Sequence, residues 1–215
     1  MNNYLIILII FLFCSCCIVS FICLRNIHEN FLAYSISTND KDKFVKGNYE
    51  STYGTLEKNG LKTIIQKVGE YKNNKKWIND KVFIDLGSGE GKVPIFALDY
   101  PFKKSLGVEL STDRHNLAID NKKKLSKHKQ NRVFFYNSDL LKYNSKEVDL
   151  IYLSSLCFNS NFLEKISDKL SRELKNGSIV CTSSKLSNVS LKFIDSYDVE
   201  QSWSKNSTVY MYEKI

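Results

Sequence analysis

Outside its first 24 residues the chain has only two cysteines, Cys157 and Cys181, and neither belongs to a CxxC pair or a His/Cys cluster. Two separated thiols make no disulfide framework and no metal-ligand set, so the sequence implies no metal site. Histidine is scarce too, with three in 215 residues, and no His/Cys/Asp arrangement suggests a nucleophilic triad. No G-x-x-x-x-G-K-[ST] is present, which excludes an ATP or GTP P-loop of that type, and the dinucleotide spacing G-x-G-x-x-G is missing as well. Formal charge is absent from Tyr4 to Leu24, YLIILIIFLFCSCCIVSFICL, which holds the other four cysteines. A run of that length crosses roughly 30 Å of hydrocarbon as a helix. The residues before it, MNNY, carry no basic side chain, and no small-x-small site closes it, which favours a retained anchor over a cleaved signal. Arg25, Lys41 and Lys43 follow, so the positive-inside rule turns the rest of the chain toward the cytoplasm, with a secretory compartment or the nucleus as alternatives.

What is present is basic charge, a net +8, and that suggests an anionic partner. Much of it is spread along the chain, as in KNNKK and NKKK. Lys122, Lys123, Lys124, Lys127 and Lys129 gather on one predicted helix, either as a solvated face or as a contact for nucleic acid or phosphate. Residues 25–50 read as a stalk and N-terminal arm, and residues 51–215 as one domain. A helix is expected over Leu56–Val68, where Leu61, Ile64, Ile65 and Val68 share a face. Strands are then expected at Lys81–Leu86, Ser105–Leu110, Arg132–Tyr136, Val148–Leu153 and Ser178–Thr182. Helices Lys92–Tyr100, Arg114–Lys127 and Phe162–Leu174 separate them, an order that implies a three-layer α/β domain. Tyr197–Trp203 and Thr208–Glu213, joined by SKNS, read as a closing antiparallel hairpin. That makes seven strands.

The stretch VFIDLGSGEGKVPIFALDY, Val82 to Tyr100, places the chemistry. Val82, Phe83 and Ile84 read as a strand buried on both faces, and Asp85 arrives where it ends. Gly87, Gly89 and Gly91 then allow a tight turn and close backbone approach to a ligand. Glu109, in SLGVEL, closes the next apolar strand, where a carboxylate accepts hydrogen bonds from ribose hydroxyls in nucleoside-binding sheets.

FIDLGSGEGKV and GVELSTDRH, taken together, resemble the coupled motifs of the class I, seven-strand S-adenosylmethionine-dependent methyltransferases. Within them the closest likeness is to the disruptor-of-telomeric-silencing-type lysine methyltransferases and their short relatives, from Tyr53 onward. The resemblance implies a Rossmann-like seven-strand sheet and S-adenosylmethionine as cofactor. It implies that Asp85, Gly87, Ser88, Gly89 and Gly91 hold the methionine end, Glu109 the ribose and Asp139 the adenine side. Tyr53 and Gly54 resemble the start of an arm motif Y-G-E that closes over the cofactor, with Thr55 in place of the acid. LSSLCF resembles the segment after strand four, with Ser154 and Ser155 where histone enzymes have two asparagines. Tyr53, Ser154, Ser155, Cys157 and Phe158 are therefore the candidates for the acceptor-side wall, and Phe158 for an amine channel. The implied reaction is methyl transfer to a protein lysine, membrane-associated or histone. A small-molecule acceptor and an inactive, anchored binding module are the alternatives.

Overall fold

The structure, a computed structural model, describes residues 54–215. The expected anchor Tyr4–Leu24, the stalk over 25–50 and Tyr53 lie outside the described residues. Among the described residues no helix is long and apolar enough to cross a membrane.

In chain order the elements are α1 (Lys58–Tyr71), β1 (Val82–Leu86), α2 (Lys92–Ala97), β2 (Lys104–Glu109), α3 (Thr112–Lys123), α4 (Lys127–Gln130) and β3 (Val133–Asn137). Then come β4 (Leu150–Leu153), α5 (Ser160–Glu173), β5 (Ile179–Thr182), β6 (Leu191–Gln201) and β7 (Ser204–Lys214). They form one seven-stranded sheet in the order β3-β2-β1-β4-β5-β7-β6. The first five strands are parallel, and β7 runs antiparallel to both β5 and β6. The order reverses between β1 and β4, so the crevice for a ligand lies outside the carboxyl ends of those strands.

Alternation along β1 shows why the sheet has helices on both sides. Phe83 packs with Leu61, Ile64 and Val68 of α1 and Val93 of α2, whereas Ile84 and Leu86 pack with Phe162, Ile166 and Leu170 of α5. Both sets are fully or almost fully buried. No helix separates β3 from β4; Leu140, Leu141 and Tyr143 of that connection pack on the α5 side instead. The expected three layers are present, with an uneven second face.

Element bounds moved where capping or pairing outweighed apolar spacing. The first helix starts later than expected, because Leu56 is taken into a β-bridge with Gln201. The second ends at Ala97 rather than Tyr100, and the residues beyond it turn into the segment that leads to β2. The third starts at Thr112, since Ser111 caps it by accepting from the Arg114 N–H, and it stops at Lys123. The closing hairpin is longer than predicted, and its two-residue turn is Ser202-Trp203, not SKNS. The polar run SKNS opens β7 instead, with Ser207 inside, accepting a hydrogen bond from the Gln201 amide at 2.9 Å. A side-chain partner lets a polar residue occupy a buried strand position that apolar patterning does not predict.

Candidate active site

The turn after β1 is built by backbone geometry. Gly87, Gly89 and Gly91 all have positive φ, at 90°, 52° and 79°, a region that side chains disfavour. The N–H groups of Gly87 and Ser88 both donate to the Val108 carbonyl, at 2.8 and 3.0 Å, which ties the turn to β2. Glu109 completes the tie. One of its carboxylate oxygens accepts from the Gly89 N–H and the other from the Ser111 N–H, both at 2.8 Å. Each oxygen keeps a lone-pair direction for a further donor.

Gly107 was not singled out by sequence reasoning, yet it makes this turn possible. A Cβ there would lie 2.6 Å from the Ser88 hydroxyl and 2.7 Å from the Phe135 ring. An isolated glycine within the apolar strand SLGVEL was the available signal for a close approach.

Asp85 is 3% exposed, and one of its carboxylate oxygens, like the Ser88 hydroxyl, has no hydrogen-bond partner among the described residues. Burial, and then the nearby Glu109 carboxylate, push the Asp85 carboxyl up to about 8. Two unpartnered polar atoms at a glycine turn, with a second carboxylate close enough to raise the first, suit a ligand that brings hydrogen-bond donors and positive charge. Beside Asp85 in register on β4 stands Tyr152, 1% exposed, which sequence reasoning also passed over. Its hydroxyl donates to the Gln201 side chain at 3.3 Å, and burial followed by the Asp85 charge raises its pKa.

The remaining candidates separate. Asp139 sits at the loop after β3, half-buried, its carboxylate accepting from the Leu141 N–H at 2.9 Å as a turn cap. Gly54 rests against the indole of Trp203, where a Cβ would come within 2.1 Å of the ring. Thr55 is clasped to the hairpin turn. Its N–H donates to the Ser202 hydroxyl at 3.1 Å, and its carbonyl accepts from the Ser202 N–H at 2.8 Å. Ser154 is half-buried on the rim after β4, whereas Ser155 is fully buried. The Ser155 hydroxyl pairs with that of Thr182 at 2.7 Å and accepts from the Ser184 N–H at 2.9 Å, bolting the ends of β4 and β5 together. Phe158 packs edge-on against Phe162 with ring centroids 4.7 Å apart, as part of the α5 core. Cys157 is half-buried. Of the basic group, Lys123 pairs with Asp120, Lys129 with Asp99, and Lys122 lies over the Phe134 ring.

The family model described as "Histone methylation protein DOT1" matches residues 34–213. The chain belongs to the DOT1 family. No curated protein matches it. Among solved structures, an RNA methyltransferase from Salinibacter ruber in complex with S-adenosyl-L-homocysteine is similar at 20% identity. The likeness covers 71% of this chain and 91% of that one, with a TM-score of 0.53. The magnesium protoporphyrin IX methyltransferase from Synechocystis PCC 6803 with bound S-adenosylmethionine is similar at 11% identity, over 73% and 80% of the two chains, with a TM-score of 0.55. These likenesses show the fold. With the family they identify an S-adenosylmethionine-dependent methyltransferase of class I.

Proposed function

We propose that this domain methylates a lysine side chain of a protein. The observation that carries the reading is the family match over residues 34–213, and the intact tie between the glycine turn and Glu109 supports it. The bound cofactor supplies an electrophilic methyl group on a sulfonium. The chain supplies position and field. Asp85 is placed for the methionine-end amine, where a cation would relieve its unpaired charge. Glu109 accepts from the ribose hydroxyls with its free lone pairs while its bonds to Gly89 and Ser111 hold it still, and Asp139 marks the adenine side. Ser154 and Trp203, with Tyr53 and Gly54 of the arm, form the acceptor side, where partial desolvation favours the neutral amine that a lysine must present.

The acceptor we favour is a membrane or membrane-near protein, because the uncharged run Tyr4–Leu24 would anchor the chain as a single-pass protein with this domain toward the cytoplasm. Histone lysine on nucleosomes is the second reading, favoured by the family's description, with Lys122–Lys129 then in contact with nucleic acid.

Full-length protein in detergent, given methyl-labelled cofactor and, separately, membrane extract, nucleosomes or a protein-free metabolite pool, distinguishes these acceptors. The expected result is label on a lysine nitrogen from the membrane extract, abolished by Gly89→Arg. Label in metabolites alone would overturn the lysine assignment, and label in nucleosomes alone would overturn the membrane preference.

A further inference from the structure

Parallel strands share a direction, so the loops that precede β1, β2, β4 and β5 all lie on the edge of the sheet away from the glycine turn. Hydrogen bonds make this edge continuous. Lys103 N–H donates to the Lys81 carbonyl, Lys72 reaches the Gly177 carbonyl at 3.0 Å, and Gly177 N–H donates to Lys214. Ile215 N–H then donates to Ser190, just before β6. The edge crosses seven strands, roughly 30 Å at ~4.8 Å per strand.

Its exposed charge is predominantly positive. Lys75, Lys76, Lys103, Lys104, Lys146 and Lys192 are all exposed on it. Of its acids, Asp149 is engaged by Lys81 and Lys175, Glu213 by Lys72, and Asp99 by Lys58 and Lys129, while Asp80 and Glu147 are exposed among the lysines. The opposite edge instead mixes Glu57, Glu90, Asp113 and Glu200 with its lysines. At the β6–β7 end of the basic edge stand three exposed apolar side chains, Val189 (95%), Phe193 (53%) and Ile215 (53%).

We propose that this basic edge docks on an anionic lipid surface, turning the glycine turn and its acceptor side away from the bilayer. Flexible ammonium groups on a broad face suit diffuse attraction to acidic headgroups, and exposed apolar side chains at its border suit the headgroup and acyl boundary. A nucleic-acid duplex rewards the lysines but not Val189, Phe193 and Ile215. The surface stands without the run Tyr4–Leu24, and its test reads neither insertion nor methyl transfer.

Full-length protein is acylated briefly at lysine in the presence of phosphatidylcholine vesicles, or of vesicles with about a third phosphatidylserine, or of duplex DNA. Mass spectrometry then reads each site. Lys75, Lys76, Lys103 and Lys104 are expected to react roughly fivefold more slowly on the anionic vesicles than on neutral ones, with the difference fading in high salt. Lys142, Lys185 and Lys205, exposed on the other edge, keep their rates. Val189→Ser with Phe193→Ser should reduce the protection without touching a lysine. Equal rates on both vesicles would overturn the proposal, as would protection by duplex DNA equal to or greater than that by anionic vesicles.

Discussion

Asp85 is a carboxylic acid placed where it is unstable as an anion until something positive arrives. Unfolded, it gives up its proton near the ordinary 3.8; folded, near about 8. Between those values the native state holds more protons than the unfolded chain. The sign follows: the group's contribution is most favourable below the unfolded value and drains away as pH rises toward 8. Asp85→Asn should remove that slope, so the variant's melting temperature is expected to gain on the parent's from about pH 5 to about pH 8. Parallel melting curves would contradict the assignment. The same balance makes cofactor binding expel a proton near neutrality, visible by calorimetry in two buffers of different ionisation enthalpy and lost in the variant. Sequence placed Asp85, the three turn glycines and Glu109 correctly as neighbours, because strand ends and glycine spacing are local properties. It could not show that Glu109 holds the Gly89 and Ser111 amides, or that Ser155 is spent on Thr182 and Ser184. Apart from the bond between Glu109 and Ser111, two residues on, those bonds join residues that only the sheet order brings together.

At the level of elements, the arm and the hairpin work as one piece. Leu56 bridges to Gln201, Thr55 and Ser202 exchange two hydrogen bonds, and Glu57 N–H donates to the Glu200 carbonyl at 3.1 Å. Gln201 accepts from the hydroxyl of Tyr152, beside Asp85, so the end of β6 is joined to β4, the neighbour of the strand that carries the glycine turn. Gly54→Val should force the Trp203 indole aside and release the arm. Trypsin cleavage at Lys58 is expected to speed up about tenfold while the core strands keep their hydrogen-exchange protection. Unchanged cleavage would show that the clasp holds without the close approach. The hairpin was legible as a hairpin from its alternation, but its turn was misplaced. Ser-Lys-Asn-Ser has turn chemistry, whereas Ser202-Trp203 has none that a local rule recognises, and the clasp with Thr55 is what fixes it there.

For the whole molecule, the fold class followed from the order of strands and helices, and the family from two coupled motifs. The uneven second face did not, since Leu140, Leu141 and Tyr143 give no helical period. A ligand that joins the β1 turn to the end of β2 bridges the middle of the sheet and should stabilise all of it. S-adenosyl-L-homocysteine at about a hundred times its Kd is expected to add about 2.7 kcal/mol by mass action, read as a melting shift that NAD does not produce. A shift with NAD of the same size would argue against the cofactor assignment.

The order β5-β7-β6 also bears on synthesis. Translation delivers β6 first, but its only place is outside β7, so it has no partner in the sheet until β7 exists. The arm has been waiting since residue 54 for the same hairpin. During elongation the sheet thus has a bare edge at β5, and the clasp between the arm and the hairpin closes only once β7 has been made. A ribosome paused within residues 204–214 would carry a domain whose glycine turn is finished and whose clasp is not.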